Sequence, residues 1–187
     1  MFILKTNKSL LSNILASGIF QLLFLITPVI TTPYVTRIFS PSEIGLYGVS
    51  YSVIMLLVQI AQFGLPIYGI RAVAQSENKS KVFFELLSIQ ILFCVIIFLF
   101  FNIFNLFFIE KKWVYFLQSI LILIAVFDVS WFFIGIEEIK KNILRNALSK
   151  MVSIALIFIF VKTADDIYIY IIINVFGNLL GNLTMVL

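Results

Sequence analysis

Long stretches without a single ionisable side chain set the terms for this chain. Ser9 to Thr36 carries no charge, and neither does Ile44 to Ile70, between Glu43 and Arg71. Leu86 to Ile109 is a third such run, and Trp113 to Ile136 a fourth, interrupted only by Asp128. Ile167 to Leu187 is the last. About 20 apolar residues in a helix cross the hydrocarbon of a bilayer, so each run predicts a spanning helix. A shorter run, Met151 to Val161, spans only when extended back through Asn142, Arg145 and Lys150, whose stems can snorkel or face a wet interior. The sequence thus predicts an all-α, polytopic membrane protein of about six transmembrane helices in one lobe, near residues 10–35, 45–69, 83–109, 113–136, 143–161 and 167–187.

Composition agrees and removes several function classes. Only 12% of the 187 residues are charged, about half the usual share of a soluble domain at roughly 25%. A net charge of +4 is too weak and dispersed for a nucleic-acid surface. There is no histidine, which removes imidazole bases and His metal ligands. The lone Cys94 excludes an internal disulfide. The first hydrophobic segment is too long for a cleavable signal peptide and is expected to remain as the first helix.

Basic residues predict the orientation. With the amino terminus inside, Lys5, Lys8, Arg71, Lys79, Lys81, Lys140, Lys141, Arg145 and Lys150 fall on the cytoplasmic side. Arg37, Lys111, Lys112 and Lys162 fall outside. Both termini are then expected in the cytoplasm of a multi-pass inner-membrane protein. The segment EEIKKNILR reads as a charged amphipathic turn at the membrane surface.

Polar groups within the spans are the functional signal. Asn13, Ser17 and Gln21 recur at four-residue intervals, as do Asn174, Asn178 and Asn182, so each set shares a helix face. Ser52, Gln59, Gln62 and Pro66 form a comparable stripe. Two readings stand: interhelical bonding beside small residues such as Gly177 and Gly181, or a shared hydrated cavity. Asp128 is the sharpest single feature, because a carboxylate deep in a helix costs on the order of 2.5–3.5 kcal/mol without a partner or water. It is a candidate for ion or proton coupling, for pairing with Arg145 or Lys150, or for a shallower position. Pro28 and Pro33 are expected to interrupt the first helix, and Pro66 with Gly64 and Gly69 the second. Arg37, on the less basic side, is a candidate for an anionic ligand.

Four strings resemble a known family: PYVTRIFSPSEIGLYG (Pro33 to Gly48), FGLPIYGIRAVAQ (Phe63 to Gln75), DVSWFFIGIEEIKKNILRN (Asp128 to Asn146) and VKTADDIYIYIIINVFGNLLGN from Val161. In order and over nearly the whole chain, they are similar to Wzx-type polysaccharide flippases of the multidrug and oligosaccharidyl-lipid exporter superfamily. The resemblance implies a two-lobe transporter with about twice the helices counted here, so the chain is expected to be an amino-terminal half whose second lobe is missing. It implies translocation of undecaprenyl-diphosphate-linked oligosaccharide repeat units for O-antigen or lipopolysaccharide synthesis, by alternating access and without catalysis or cofactor. No GxxxxGK[ST] loop occurs, so ATP is not expected as the direct driver. The implied partners are the lipid-linked oligosaccharide, membrane lipids and polysaccharide polymerase machinery.

Under that resemblance Arg37, Arg71 and Arg145 are candidates for phosphate contact, since charge-assisted hydrogen bonds are the strong ones. Gln21, Gln59, Asn174 and Asn178 are candidates for the sugar path, Trp131 for stacking on a sugar, and Asp128 for coupling. A multidrug-type exporter half and a non-transporting scaffold of a polysaccharide assembly complex are the alternatives.

Overall fold

A computed structural model describes residue 18 and residues 25–186, with side chains left undescribed at 139–145 and 184–186. Helix is the only regular secondary structure among the described residues. Helix α1 is described over 25–38. It is followed by α2 (Pro41–Gln62), α3 (Leu65–Gln75), α4 (Lys79–Phe108), α5 (Lys112–Ile124), α6 (Ser130–Gly135), α7 (Ile139–Phe160) and α8 (Ile167–Val186).

Local chemistry explains where these helices start. Ser40 caps α2 through a reciprocal box: Glu43 N–H donates to Ser40 Oγ at 3.4 Å, and Ser40 N–H donates to Glu43 Oε2 at 2.8 Å. Pro41 follows at the first position, where its missing N–H costs nothing. Asn78 Oδ1 accepts from Lys81 N–H at 3.1 Å to start α4. Before α8, Asp166 Oδ2 accepts the N–H groups of Lys162 at 2.9 Å and Thr163 at 2.8 Å. These caps satisfy donors that a helix end leaves open.

Four described helical stretches are long and apolar enough to cross a membrane: Pro41–Gln75, Lys79–Phe108, Lys112–Gly135 and Ala164–Leu183. Phe100, Phe107 and Phe108 on α4 are 70% or more exposed, an arrangement suited to a hydrocarbon solvent and not to water. The predicted first span lies partly outside the described residues. The predicted fifth is present as α7, but its apolar part, Asn146–Phe160, is shorter than a full span.

Helix α5 sits centrally and packs on α2, α4 and α8, while α8 lies along α7. The main core joins Val35 of α1 and Phe39 just after it to Ile54, Cys94, Ile122, Ile157 and Ile171 from five further helices. A second, smaller cluster forms from Leu65, Val73, Leu86 and Trp131, tying α3 and α6 to the start of α4. The α7–α8 seam is a close backbone approach. A Cβ on Gly177 would collide with Ser153, and one on Gly181 would lie 2.6 Å from Asn146 Oδ1. The small residues therefore set the helix spacing, as small-xxx-small patterns do.

Three sequence expectations are corrected. Residues 25–38 remain helical through both Pro28 and Pro33. Proline's fixed φ is compatible with a helix, and transmembrane helices tolerate the lost donor. The EEIKKNILR segment is not a surface turn: after Glu138, residues 139–145 are already the first turns of α7. Asp128 does not lie in a continuous helix. The chain leaves α5 at Ile124, makes a tight turn over Ala125–Phe127, and restarts as α6 at Ser130. The expected break in the second span is present at Phe63 (φ 46) and Gly64 (φ 73), where α2 ends and α3 begins. Both residues are left-handed there, a conformation that glycine adopts freely, and Phe63 stacks on Phe93 with ring centroids 4.9 Å apart.

Candidate functional site

The two helix breaks face each other. Gln62, the last residue of α2, donates from Nε2 to Asp128 Oδ2 at 3.4 Å. Asp128 Oδ1 accepts Ser130 Oγ–H at 2.7 Å and Ser130 N–H at 3.3 Å. This is a local turn that starts α6 and uses the short side chain of Asp as a backbone substitute. The D-x-S spacing was the sequence signal for the break, which hydropathy alone passes over.

Beneath the turn lies Gln90 of α4, 1% exposed. Its Nε2 donates to the carbonyls of Ala125 at 2.6 Å and Asp128 at 3.1 Å, and its Oε1 accepts Trp131 Nε1–H at 3.1 Å. The broken helix thus spends its freed carbonyls on one amide, which low-dielectric surroundings make costly to remove. Sequence reasoning missed Gln90, because a single glutamine in an apolar run forms no stripe.

Asp128 opens onto a polar groove of about 310 Å³ lined by Tyr51, Met55, Asp128, Ser130, Asn146, Ser149, Lys150, Gly177, Asn178 and Asn182. It draws on α2, the α5–α6 break, α7 and α8. Lys150 stands near the middle of the 22-residue α7, about 15 Å from either end at 1.5 Å per residue. The sequence placed Lys150 both among the cytoplasmic charges and within the span near 143–161, and the structure puts it inside α7, about one turn into the apolar part Asn146–Phe160. Asn178, eleven residues into α8, stands at the same level.

The candidate residues separate into three groups. Asp128 and Asn178 line the groove. Asn178 Nδ2 donates to the Asn174 carbonyl at 2.8 Å, and Asn174 Nδ2 to the Tyr170 carbonyl at 2.8 Å, so the stripe follows α8 outward from the groove. Gln59 is exposed on α2, one turn beyond Met55, and does not line the groove.

Others are elsewhere. Arg37, near the end of α1, and Arg71 on α3 are exposed and do not line the groove. Trp131 is 1% exposed and sealed between Gly69, Phe83 and Phe132. A Cβ on Gly69 would lie 2.6 Å from its Cε3. In this conformation its ring faces are packed, and no face is open for stacking on a sugar. Arg145 belongs to the first turns of α7, and nothing is described of its side chain. Gln21, with Asn13 and Ser17, lies outside the described residues.

An all-α body with several membrane-crossing helices and a carboxylate, a lysine and amides around an intramembrane groove defines a polytopic membrane protein with an internal polar site. The polysaccharide biosynthesis protein family model matches residues 10–187, and the chain belongs to that family. Two curated relatives are similar to it, each named "Putative O-antigen transporter". The one from Escherichia coli (strain K12) is 27% identical over 96% of this chain and 45% of its own length. The one from Shigella dysenteriae is 26% identical over 75% of this chain and 37% of its own length. The chain thus spans less than half the length of the curated relatives it matches. No solved structure matches it.

Proposed function

We propose that this chain is the amino-terminal lobe of a flippase that moves undecaprenyl-diphosphate-linked oligosaccharide repeat units across the cytoplasmic membrane by alternating access, without catalysis or direct ATP use. The observation that carries the reading is the polar groove among helices long and apolar enough to cross a membrane, in a chain of the polysaccharide biosynthesis protein family. A sugar head needs amides for its hydroxyls, which Asn178 and, along the same face, Asn174 offer, with Gln59 one turn beyond Met55 on α2. A diphosphate needs cations. Arg37 and Arg71, outside the groove itself, serve in this reading at its approaches on entry or release, and Arg145 remains a candidate for the same contact. Trp131 would meet the sugar only if α3 and α6 part.

Asp128 sits where both helix breaks meet, so a change in its charge acts on two joints at once. One charge moving across 100 mV is worth about 2.3 kcal/mol, enough to bias a two-state cycle. The reading places both termini in the cytoplasm and leaves the polymerase machinery as a neighbour that receives the translocated unit.

The test is complementation of a flippase-deficient strain by this chain, alone and co-expressed with the carboxyl-terminal half of a relative, scored by surface polysaccharide. Restoration in either arm, lost or altered in its pH dependence by Asp128→Asn, supports the proposal. Correct membrane insertion without restoration in both arms removes it in favour of a non-transporting scaffold.

A further inference from the structure

Helix α7 presents three different surfaces between Ala147 and Ala155. Ser149 and Ser153 face α8, and Ser149 also lines the polar groove. Ala147, Met151, Ile154 and Ala155 recur at helical spacing on another face, across from Ile26 and Ile30 of α1. Between these faces lies Lys150, which lines both the polar groove and a second, apolar cleft of about 310 Å³ between α1 and α7.

We propose that Lys150 is the junction of an amphiphile site: a phosphate at its ammonium group, a hydroxylated head in the polar groove, and a single polyisoprenoid chain in the α1–α7 cleft. The assignment rests on the lipid-linked oligosaccharide reading above and states where the parts of that molecule lie. Two observations carry it. The order of surroundings is polar groove, cation, apolar cleft, which is the order sugar, phosphate, chain. The charge is complementary, because a lysine ammonium is a compact cation with three donors.

The test uses the whole 187-residue chain in phosphatidylcholine nanodiscs with a polyprenyl monophosphate carrying a diazirine on the chain. Photolabelling is expected at Ile30, Met151 or Ile154. Lys150→Gln lowers capture at least fivefold, whereas Lys150→Arg keeps it, and uncharged polyprenol is captured equally by all three proteins. Ile154→Trp, which fills the cleft without touching the charge, lowers labelling by a similar factor. Each variant is first shown to elute as one species with unchanged helical content.

Labels confined to other helices overturn the site, as does equal competition by phosphatidylglycerol, which marks an ordinary lipid position. Equal capture by Lys150→Gln overturns the role of the lysine. None of these results touches the complementation outcome, so the site and the transport reading fail separately.

Discussion

Replacing Gln90 by leucine is expected to loosen the broken helix that carries Asp128. The change keeps volume and removes four hydrogen bonds: Nε2 to the Ala125, Val126 and Asp128 carbonyls, and the indole N–H of Trp131 to Oε1. Side-chain hydrogen bonds within membrane proteins average about 0.6 kcal/mol each, which sets a floor of about 2.4 kcal/mol for four. Stranding a buried polar group costs more, on the order of 1–3 kcal/mol. The Ala125 carbonyl keeps a bond from Asp128 N–H at 3.2 Å, which holds the total to about 2.4–4 kcal/mol.

The assay is equilibrium unfolding in mixed dodecylmaltoside and dodecylsulfate micelles, read by tryptophan emission in a Trp113→Phe background. Trp131 is then the sole indole, and it reports from the site itself. Ser88→Ala is the control, because its hydroxyl bonds the Phe84 carbonyl on an exposed face, and its change is expected to stay within about 0.5 kcal/mol. A Gln90→Leu loss no larger than that of the control refutes the argument that one amide holds the turn.

Two further outcomes follow from the packing. Gly177→Ala places a methyl group against Ser153 and is expected to cost about 1–3 kcal/mol by overpacking. Gly45→Ala, with open space at the Cβ position, should be neutral; thermal melting in detergent compares the two. Tyr34→Phe removes a 2.7 Å bond from the hydroxyl to the Val161 carbonyl that ties α1 to the end of α7. Its cost is about 0.5–1.5 kcal/mol, read by the same thermal melting in detergent.

The strings that carried the family resemblance turn out to be the joints of the fold. SPSE is the capping box of α2, TADD the turn before α8, FGLP the break between α2 and α3, and DVS the break before α6. Joints are legible in sequence because capping and turn chemistry act over three or four residues. What one residue does across sixty is not legible in the same way. Gln62 and Asp128 are 66 positions apart; one reads as a member of a stripe on its own helix, the other as a lone carboxylate in another span. Lys150 shows the same limit: the sequence put it inside the span near 143–161, and only the packing of α7 shows that it borders two different cavities.

By itself the sequence determined the solvent and the class of element. Uncharged runs long enough to cross hydrocarbon must satisfy their own backbone, and a helix does so within one segment. It also determined that polar side chains would share faces, since period 3.6 is a local property. Tertiary structure alone decided which of those faces meet: that the two helix breaks touch, that Trp131 is packed instead of open, and that Lys150 borders a polar groove on one side and an apolar cleft on the other. Those outcomes depend on how closely helices approach and at what rotation, quantities set by the volumes of residues far apart in the chain.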